Sequence, residues 1–226
     1  MKKFISILFI AFFTSISEAH MAHYKDFKKI EMEIFRNDKL IGYSYYFFTR
    51  KGNETIVTNQ TKFSVKVLGA TIFEVEGYSE EKYLKNQLIS YNSKTLQNNK
   101  EKFVNLKFDK NEKKFSINGS SYNGDASIEN VIGNWWNHKI LQSNTQISPV
   151  SGSVKEQIVT FIGKERINLY DKSYDVDHFT LKSKDVDLPK DKRLDFNIWY
   201  DQKNSTIVKI SYSRMGNWEY RLKNLE

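Results

Sequence analysis

The residues in this chain best suited to acid–base or metal chemistry are its four histidines, His20, His23, His138 and His178. If processing makes His20 the first residue, its α-amino group and imidazole would chelate one copper ion, with His23 completing the set. The competing reading of His20 and His23 is a solvated tail. His178, in Asp177-His178-Phe179, has the strand parity opposite to Phe179 and Leu181 and is read as a surface or rim histidine. His138 follows Trp135-Trp136 and could line a mouth. Asp175/Asp177 and Asp185/Asp187 have calcium-ligand chemistry. They lie among Lys172, Lys182, Lys184, Lys190, Lys192 and Arg193, whose charges oppose cation binding, so a solvated charged loop is expected. Carboxylates could also serve a glycan-acting enzyme, but nothing in the sequence sets two of them across a cleft.

Other chemistries are excluded by type or spacing. Cysteine is absent, which removes disulfides, zinc–thiolate sites and cysteine nucleophiles. There is no G-x-S-x-G elbow, no H-E-x-x-H and no glycine-rich phosphate loop. No cofactor is expected. Lys and Arg number 35 against 27 Asp and Glu, a net +8. From Lys94 to Lys114 seven lysines face only Glu101, Asp109 and Glu112. Lysine dominates over arginine, whereas base and phosphate readout favours the planar arginine fork, so no nucleic-acid partner is expected. Lysines alternating with apolar residues keep wet sheet faces soluble. They also allow weak association with an anionic envelope surface.

Aromatics make up 15% of the chain and are the better clue to function. Trp135, Trp136, His138 and Trp199 are the candidate ligand-binding residues, lining an apolar pocket beside a curved sheet. The competing reading is plain core packing. Trp199 and Tyr200 point to opposite faces of a strand, and Asp201 is expected to cap the turn that follows.

The elements that must position these residues are mostly strands. Met1-Lys2-Lys3, the apolar run Phe4 to Phe13 and Ser17-Glu18-Ala19 have the layout of a secretory signal peptide cleaved after Ala19. The run is too short to span a bilayer, and no later segment approaches spanning length. The domain reading is a signal peptide over 1–19 and a single β-rich domain over 20–226. Ile30, Met32 and Ile34 alternate with Glu31 and Glu33. Val57, Phe63, Val65 and Val67 share one parity against Thr58, Gln60 and Lys62. Phe73, Val75 and Gly77 oppose Glu74 and Glu76. Turns at Lys51-Gly52-Asn53, Asn98-Asn99 and Lys110-Asn111 separate the runs. Between Ser127 and Leu141, Ile128, Val131, Ile132, Trp135, Trp136 and Leu141 recur near the helical period, which predicts one central helix. The fold class is therefore all-β: one large antiparallel sheet curved into a barrel or half-barrel, with that helix against it.

Several motifs together resemble a family of exported bacterial β-rich proteins catalogued as a domain of unknown function. They are Asn37-Asp38-Lys39-Leu40-Ile41-Gly42, Val67-Leu68-Gly69-Ala70-Thr71-Ile72-Phe73, Asn134-Trp135-Trp136-Asn137, Ile198-Trp199-Tyr200-Asp201 and Gly216-x-Trp218-x-Tyr220-x-Leu222. The resemblance runs from about Phe27 to Leu222. Where the family tends to have histidine after the early glycine, this chain has Tyr43 and Ser44. The hairpin after Trp199-Tyr200-Asp201 is also similar, in architecture, to one in the lipoprotein-carrier half-barrels of the bacterial envelope. The resemblance implies a β-rich envelope protein and no assigned reaction.

The function expected on these grounds is non-enzymatic binding of an apolar or lipidic ligand in the concave face of the sheet, by a periplasmic or secreted protein. The alternatives are a structural or protein-interaction module of the envelope without a small ligand, and an unrecognised glycan-acting enzyme.

Overall fold

The computed structural model describes residues 24–226. The expected signal peptide over 1–19, and His20 and His23, lie outside the described residues. The first half of the chain is an unbroken meander: β1 (Lys29–Arg36), β2 (Lys39–Lys51), β3 (Glu54–Val67), β4 (Ala70–Leu84), β5 (Gln87–Gln97), β6 (Lys100–Asp109), β7 (Lys114–Gly119) and β8 (Tyr122–Ser127). The second half starts with the short β9 (Val131–Ile132) and β10 (Thr145–Ile147). It continues through β11 (Val154–Leu169), β12 (Lys172–Ser183), β13 (Asp195–Asp201), β14 (Thr206–Ser213) and β15 (Asn217–Leu225).

All fifteen strands form one sheet, in the order β8-β7-β6-β5-β4-β3-β2-β1-β15-β14-β13-β12-β11-β10-β9. The two halves meet where β1 pairs antiparallel with β15. Every neighbour is antiparallel except β9 with β10. The outermost strands, β8 and β9, are consecutive in sequence, joined only by residues 128–130. A sheet whose far edges are joined by three residues must curl almost into a barrel. It stays open, because no ladder joins β8 to β9. Contacts such as Ser121 N–H to Ser151 C=O, 2.9 Å, bridge the seam instead.

Alternation places one set of side chains inside. Ile34, Tyr220, Ile210, Ile198 and Phe179 stand in register across five strands, and Ile34, Ile210 and Ile198 are fully buried. On the other half of the sheet, Ser44, Thr61, Gly77 and Thr95 form a row of small residues across β2 to β5. The next row is Tyr46 on β2, then Asn59, Ser79 and Ser93. Below it stand Phe48, Val57, Glu81 and Tyr91. The short side chains of Thr61, Gly77, Ser79, Ser93 and Thr95 on β3 to β5 leave the concave face hollow on that side.

The segment from Val131 to Val150 crosses the concave face as a plug. The helix expected over Ser127 to Leu141 does not form. Ser127 ends β8, and His138–Leu141 makes only a single 3-10 turn, capped by Asn137, whose side chain accepts from the Lys139 N–H. Asn130, Ile132, Asn134 and Trp136 are buried while Val131, Gly133 and Trp135 are half-buried. The true period is therefore two. Ile132 and Trp136, four apart, satisfy both periods, which is why the pattern reads as helical. At Gly133 the plug packs closely on Gln146, whose Oε1 would lie 1.9 Å from a Cβ there.

Candidate functional site

The plug fills only part of the barrel. Its central anchor is Trp136, fully buried, with edge-on contacts to Tyr24 at 5.1 Å, Phe48 at 5.4 Å and Tyr83 at 5.9 Å. The Trp136 indole N–H donates to Glu81 Oε1 at 2.8 Å, and the Asn134 side-chain amide donates to the same oxygen. The Tyr83 hydroxyl donates to Glu81 Oε2 at 2.6 Å. Glu81 is thus a buried carboxylate whose neighbours are three donors and no cation. Burial pushes its pKa up to about 7, while the hydrogen bonds from Tyr83 and Trp136 pull the other way. A second tether is the Pro149 carbonyl, which accepts from Tyr91 Oη at 2.9 Å and Ser93 Oγ at 2.7 Å.

Above these tethers a cavity of about 540 Å³ opens toward one end of the barrel. One wall is the hollow of small residues: Ser44, Thr61, Gly77, Ser79, Ser93 and Thr95. Its polar atoms are largely satisfied among themselves. Ser44 Oγ and Thr61 Oγ1 lie 2.7 Å apart, and the Asn59 amide donates to Ser44 Oγ at 3.0 Å. Aromatics complete the lining: Phe63 and Phe73 on β3 and β4 just beyond the small residues, Trp135 on the plug, and Tyr212, Trp218 and Tyr220 on β14 and β15. Burial pushes the Tyr46 and Tyr212 phenols up to about 12 and raises Tyr220 well above its usual value, so these walls stay uncharged at neutral pH. The charged side chains lining the cavity are Arg36 and Arg214. The Arg36 guanidinium donates to the Met215 carbonyl, and Arg214 Nη2 donates to the Arg193 carbonyl at 3.1 Å.

Gly77 shows that this space is not required by the fold. Its backbone is not in the left-handed region, and a Cβ there would make only ordinary contacts, with the Thr95 side chain at 3.4 Å and the Lys94 carbonyl oxygen at 4.0 Å. Mid-strand glycine weakens a sheet unless something must come close. Here no protein atom comes close enough to require it.

The candidate residues read from the sequence are dispersed. Trp135 lines the cavity, edge-on to Phe196 at 5.1 Å. Trp136 and His138 lie in the core below it. His138 Nδ1 is hydrogen-bonded to Tyr24 Oη, and its backbone N–H donates to the same oxygen at 3.0 Å. Trp199 sits on the outer face, stacked on His178 at 4.6 Å and donating to Glu165 Oε1 at 2.6 Å. The Asp201 carboxylate accepts from the Lys203 N–H at 2.9 Å and from the Asn204 amide, holding the turn after β13. Asp175 and Asp177 pair with Arg166 and Lys164 rather than with each other. No cluster able to hold a metal ion occurs among the described residues.

The residue that sequence reasoning missed is Glu81. Its signal was present: Phe73, Val75, Gly77, Ser79, Glu81 and Tyr83 share one parity on β4, so a continuous inward face carries the carboxylate inside.

A family model described as a domain of unknown function, DUF6134, matches residues 32–223. Among curated proteins none matches. One solved structure with this architecture is the beta-barrel-like protein of a domain of unknown function, DUF1849, from Brucella abortus. Its TM-score is 0.58 at 11% identity, over 88% of this chain and 95% of that one. At that identity the likeness concerns the fold alone. No helix among the described residues is long and apolar enough to cross a membrane.

Proposed function

Since the chain belongs to the DUF6134 family, a domain of unknown function, its role has to be read from its own geometry, and we propose that it is a binding protein whose cavity holds the apolar portion of a lipidic ligand. The reading includes export: the chain would be cleaved near Ala19 and act in the periplasm or outside the cell as a single β-rich domain. The observation that carries it is a cavity in which a hollow of short side chains on β3 to β5 is ringed by aromatic side chains. A volume of about 540 Å³ lies within the roughly 300–1,000 Å³ typical of small-molecule sites. Arg36 and Arg214 at the opening would meet an anionic headgroup.

The glycan-acting reading finds no support at this cavity, because no carboxylate, histidine or lysine is among its lining residues. Glu81 has a raised pKa, as a general acid would, but its carboxylate is enclosed by Trp136, Asn134 and Tyr83. It acts as a tether for the plug.

The test is Gly77→Leu. A leucine there finds ordinary van der Waals space at Cβ and projects into the cavity. Melting temperature should hold or rise, because a strand interior gains from losing glycine. Binding of the fluorescent fatty acid cis-parinarate should be abolished. Undiminished parinarate binding by the well-folded variant would overturn the proposal, as would wild-type protein that binds none.

One feature favours the protein-interaction alternative. β10 pairs only with Val154–Glu156 of β11, so the rest of that strand is a free edge, with Ile158, Phe161 and Ile162 about half exposed. Such an edge can accept a strand from a partner. Capture of a stoichiometric partner that Ile162→Lys releases would favour that reading.

A further inference from the structure

Many hairpin turns use a left-handed residue, and here Asn or Asp takes it at Asn37-Asp38, Lys85-Asn86 and Asn98-Asn99, while Lys113, Ser205 and Tyr170, whose hydroxyl donates to Glu33, take it in three others. Two further turns place Leu and Met there. Leu68 at φ 50° precedes Gly69 in the β3–β4 turn, and Met215 at φ 50° precedes Gly216 in the β14–β15 turn. A large apolar residue is disfavoured in that backbone region. Neither side chain recovers the cost by burial, for Leu68 is fully exposed and Met215 is 84% exposed.

Both turns lie at the cavity mouth, since Met215 and Ile72 line the cavity and are themselves exposed. The antiparallel order puts the β1–β2, β3–β4, β5–β6, β12–β13 and β14–β15 connections at this same end. That rim adds Leu40 and Val186, the latter 70% exposed. The turns at the far end are tipped instead by Lys51-Gly52-Asn53, Lys85-Asn86, Lys110-Asn111 and Gln202-Lys203-Asn204, and by Tyr170-Asp171, whose Tyr170 is held against the barrel wall by Glu33 and Lys223 rather than projecting free. In the β1–β2, β3–β4, β5–β6 and β14–β15 hairpins stand Arg36, Lys39, Lys66, Lys100, Lys102 and Arg214 against Asp38 and Glu101, and the β12–β13 loop adds Lys184, Lys190, Lys192 and Arg193 against Asp185, Asp187 and Asp191.

We infer that the cavity-mouth rim docks on an anionic lipid bilayer, with Leu68 and Met215 inserted at the interface and the surrounding cations on lipid headgroups. Separate protruding apolar tips interspersed with cations fit the boundary between headgroups and acyl chains. They do not form the flat, contiguous apolar patch of a protein interface. Docking in this orientation turns the cavity opening toward the membrane. The inference therefore rests on the cavity reading for its purpose, but its test does not.

The test is the double variant Leu68→Asn with Met215→Asn. Asparagine adopts the left-handed region readily, so the melting temperature should be unchanged or higher. Co-sedimentation with vesicles of phosphatidylcholine and phosphatidylglycerol should fall by at least about tenfold. Wild-type binding should weaken with added salt and be lower on phosphatidylcholine alone. Equal sedimentation of variant and wild type would overturn the inference, as would equal binding to neutral and anionic vesicles. Concentration-dependent dimers that the double variant abolishes would assign the rim to a second copy of the chain and also overturn it. Loss of parinarate binding alone, with vesicle binding intact in wild type, would remove the cavity reading and leave the docking surface standing.

Discussion

Replacing Glu81 by Gln should stabilise the protein at alkaline pH and do nothing at acid pH. Burial raises the Glu81 pKa from 4.5 to about 7, against the opposing hydrogen bonds from Tyr83 and Trp136. A carboxyl group whose pKa is higher folded than unfolded takes up a proton on folding between those two values. Stability linked to it is full below about pH 4.5, falls as pH rises, and levels off above about pH 7. Each pH unit of difference corresponds to about 1.4 kcal/mol, so the total loss is on the order of 3 kcal/mol. That is a large part of the roughly 5–15 kcal/mol by which domains are stable. Gln keeps the shape and keeps Oε1 as acceptor for the Asn134 amide and the Trp136 indole, while its amide faces the Tyr83 hydroxyl, which accepts. It does not titrate. Urea unfolding followed by tryptophan fluorescence, from about pH 4 to pH 8.5, should show the variant increasingly more stable than wild type, toward about 3 kcal/mol. A stability difference that does not change with pH, or a variant weaker than wild type at the alkaline end, would refute the reasoning. In either case the carboxylate would be well compensated as an anion.

Three tryptophans should give three different outcomes. Trp136→Ala removes a fully buried ring and the indole donor to Glu81, and should cost about 3–5 kcal/mol in chemical denaturation. Trp135→Ala strips an aromatic from the cavity wall and should weaken parinarate binding by roughly tenfold, equivalent to about 1.4 kcal/mol, with a smaller loss of stability than Trp136→Ala. Trp199→Ala removes a ring stacked on His178 at the outer face. It should change stability by no more than about 1.5 kcal/mol and leave parinarate affinity unaltered in the same titration.

Those contrasts mark where sequence reading stopped. Strand parity was legible because alternation is a property of one strand, and it placed Ile30, Met32, Ile34, Phe63 and Val65 correctly on inner faces. The family was legible too: the resemblance read from about Phe27 to Leu222 agrees with a family match over residues 32–223. The plug was misread, because residues four apart belong to the helical and the alternating period alike, so Ile132 and Trp136 could not discriminate. The cavity was not legible, because it belongs to rows that run across strands. Ser44, Thr61, Gly77 and Thr95 lie 16 to 18 residues apart, and each looks like an ordinary polar or turn residue in its own neighbourhood. Only register brings them side by side. Register here depends on turn lengths and on bulges such as those between Val65 and Lys66 and between Lys82 and Tyr83. A one-residue slip in β4 would turn Gly77, Ser79 and Glu81 outward. It would replace the hollow with Tyr78 and Glu80 and leave Trp136 and Asn134 with no carboxylate to anchor them. The tether and the cavity are therefore consequences of one register, with Glu81 four residues beyond Gly77 on the same inward face. The sequence carries that face, but not the knowledge of what stands opposite it.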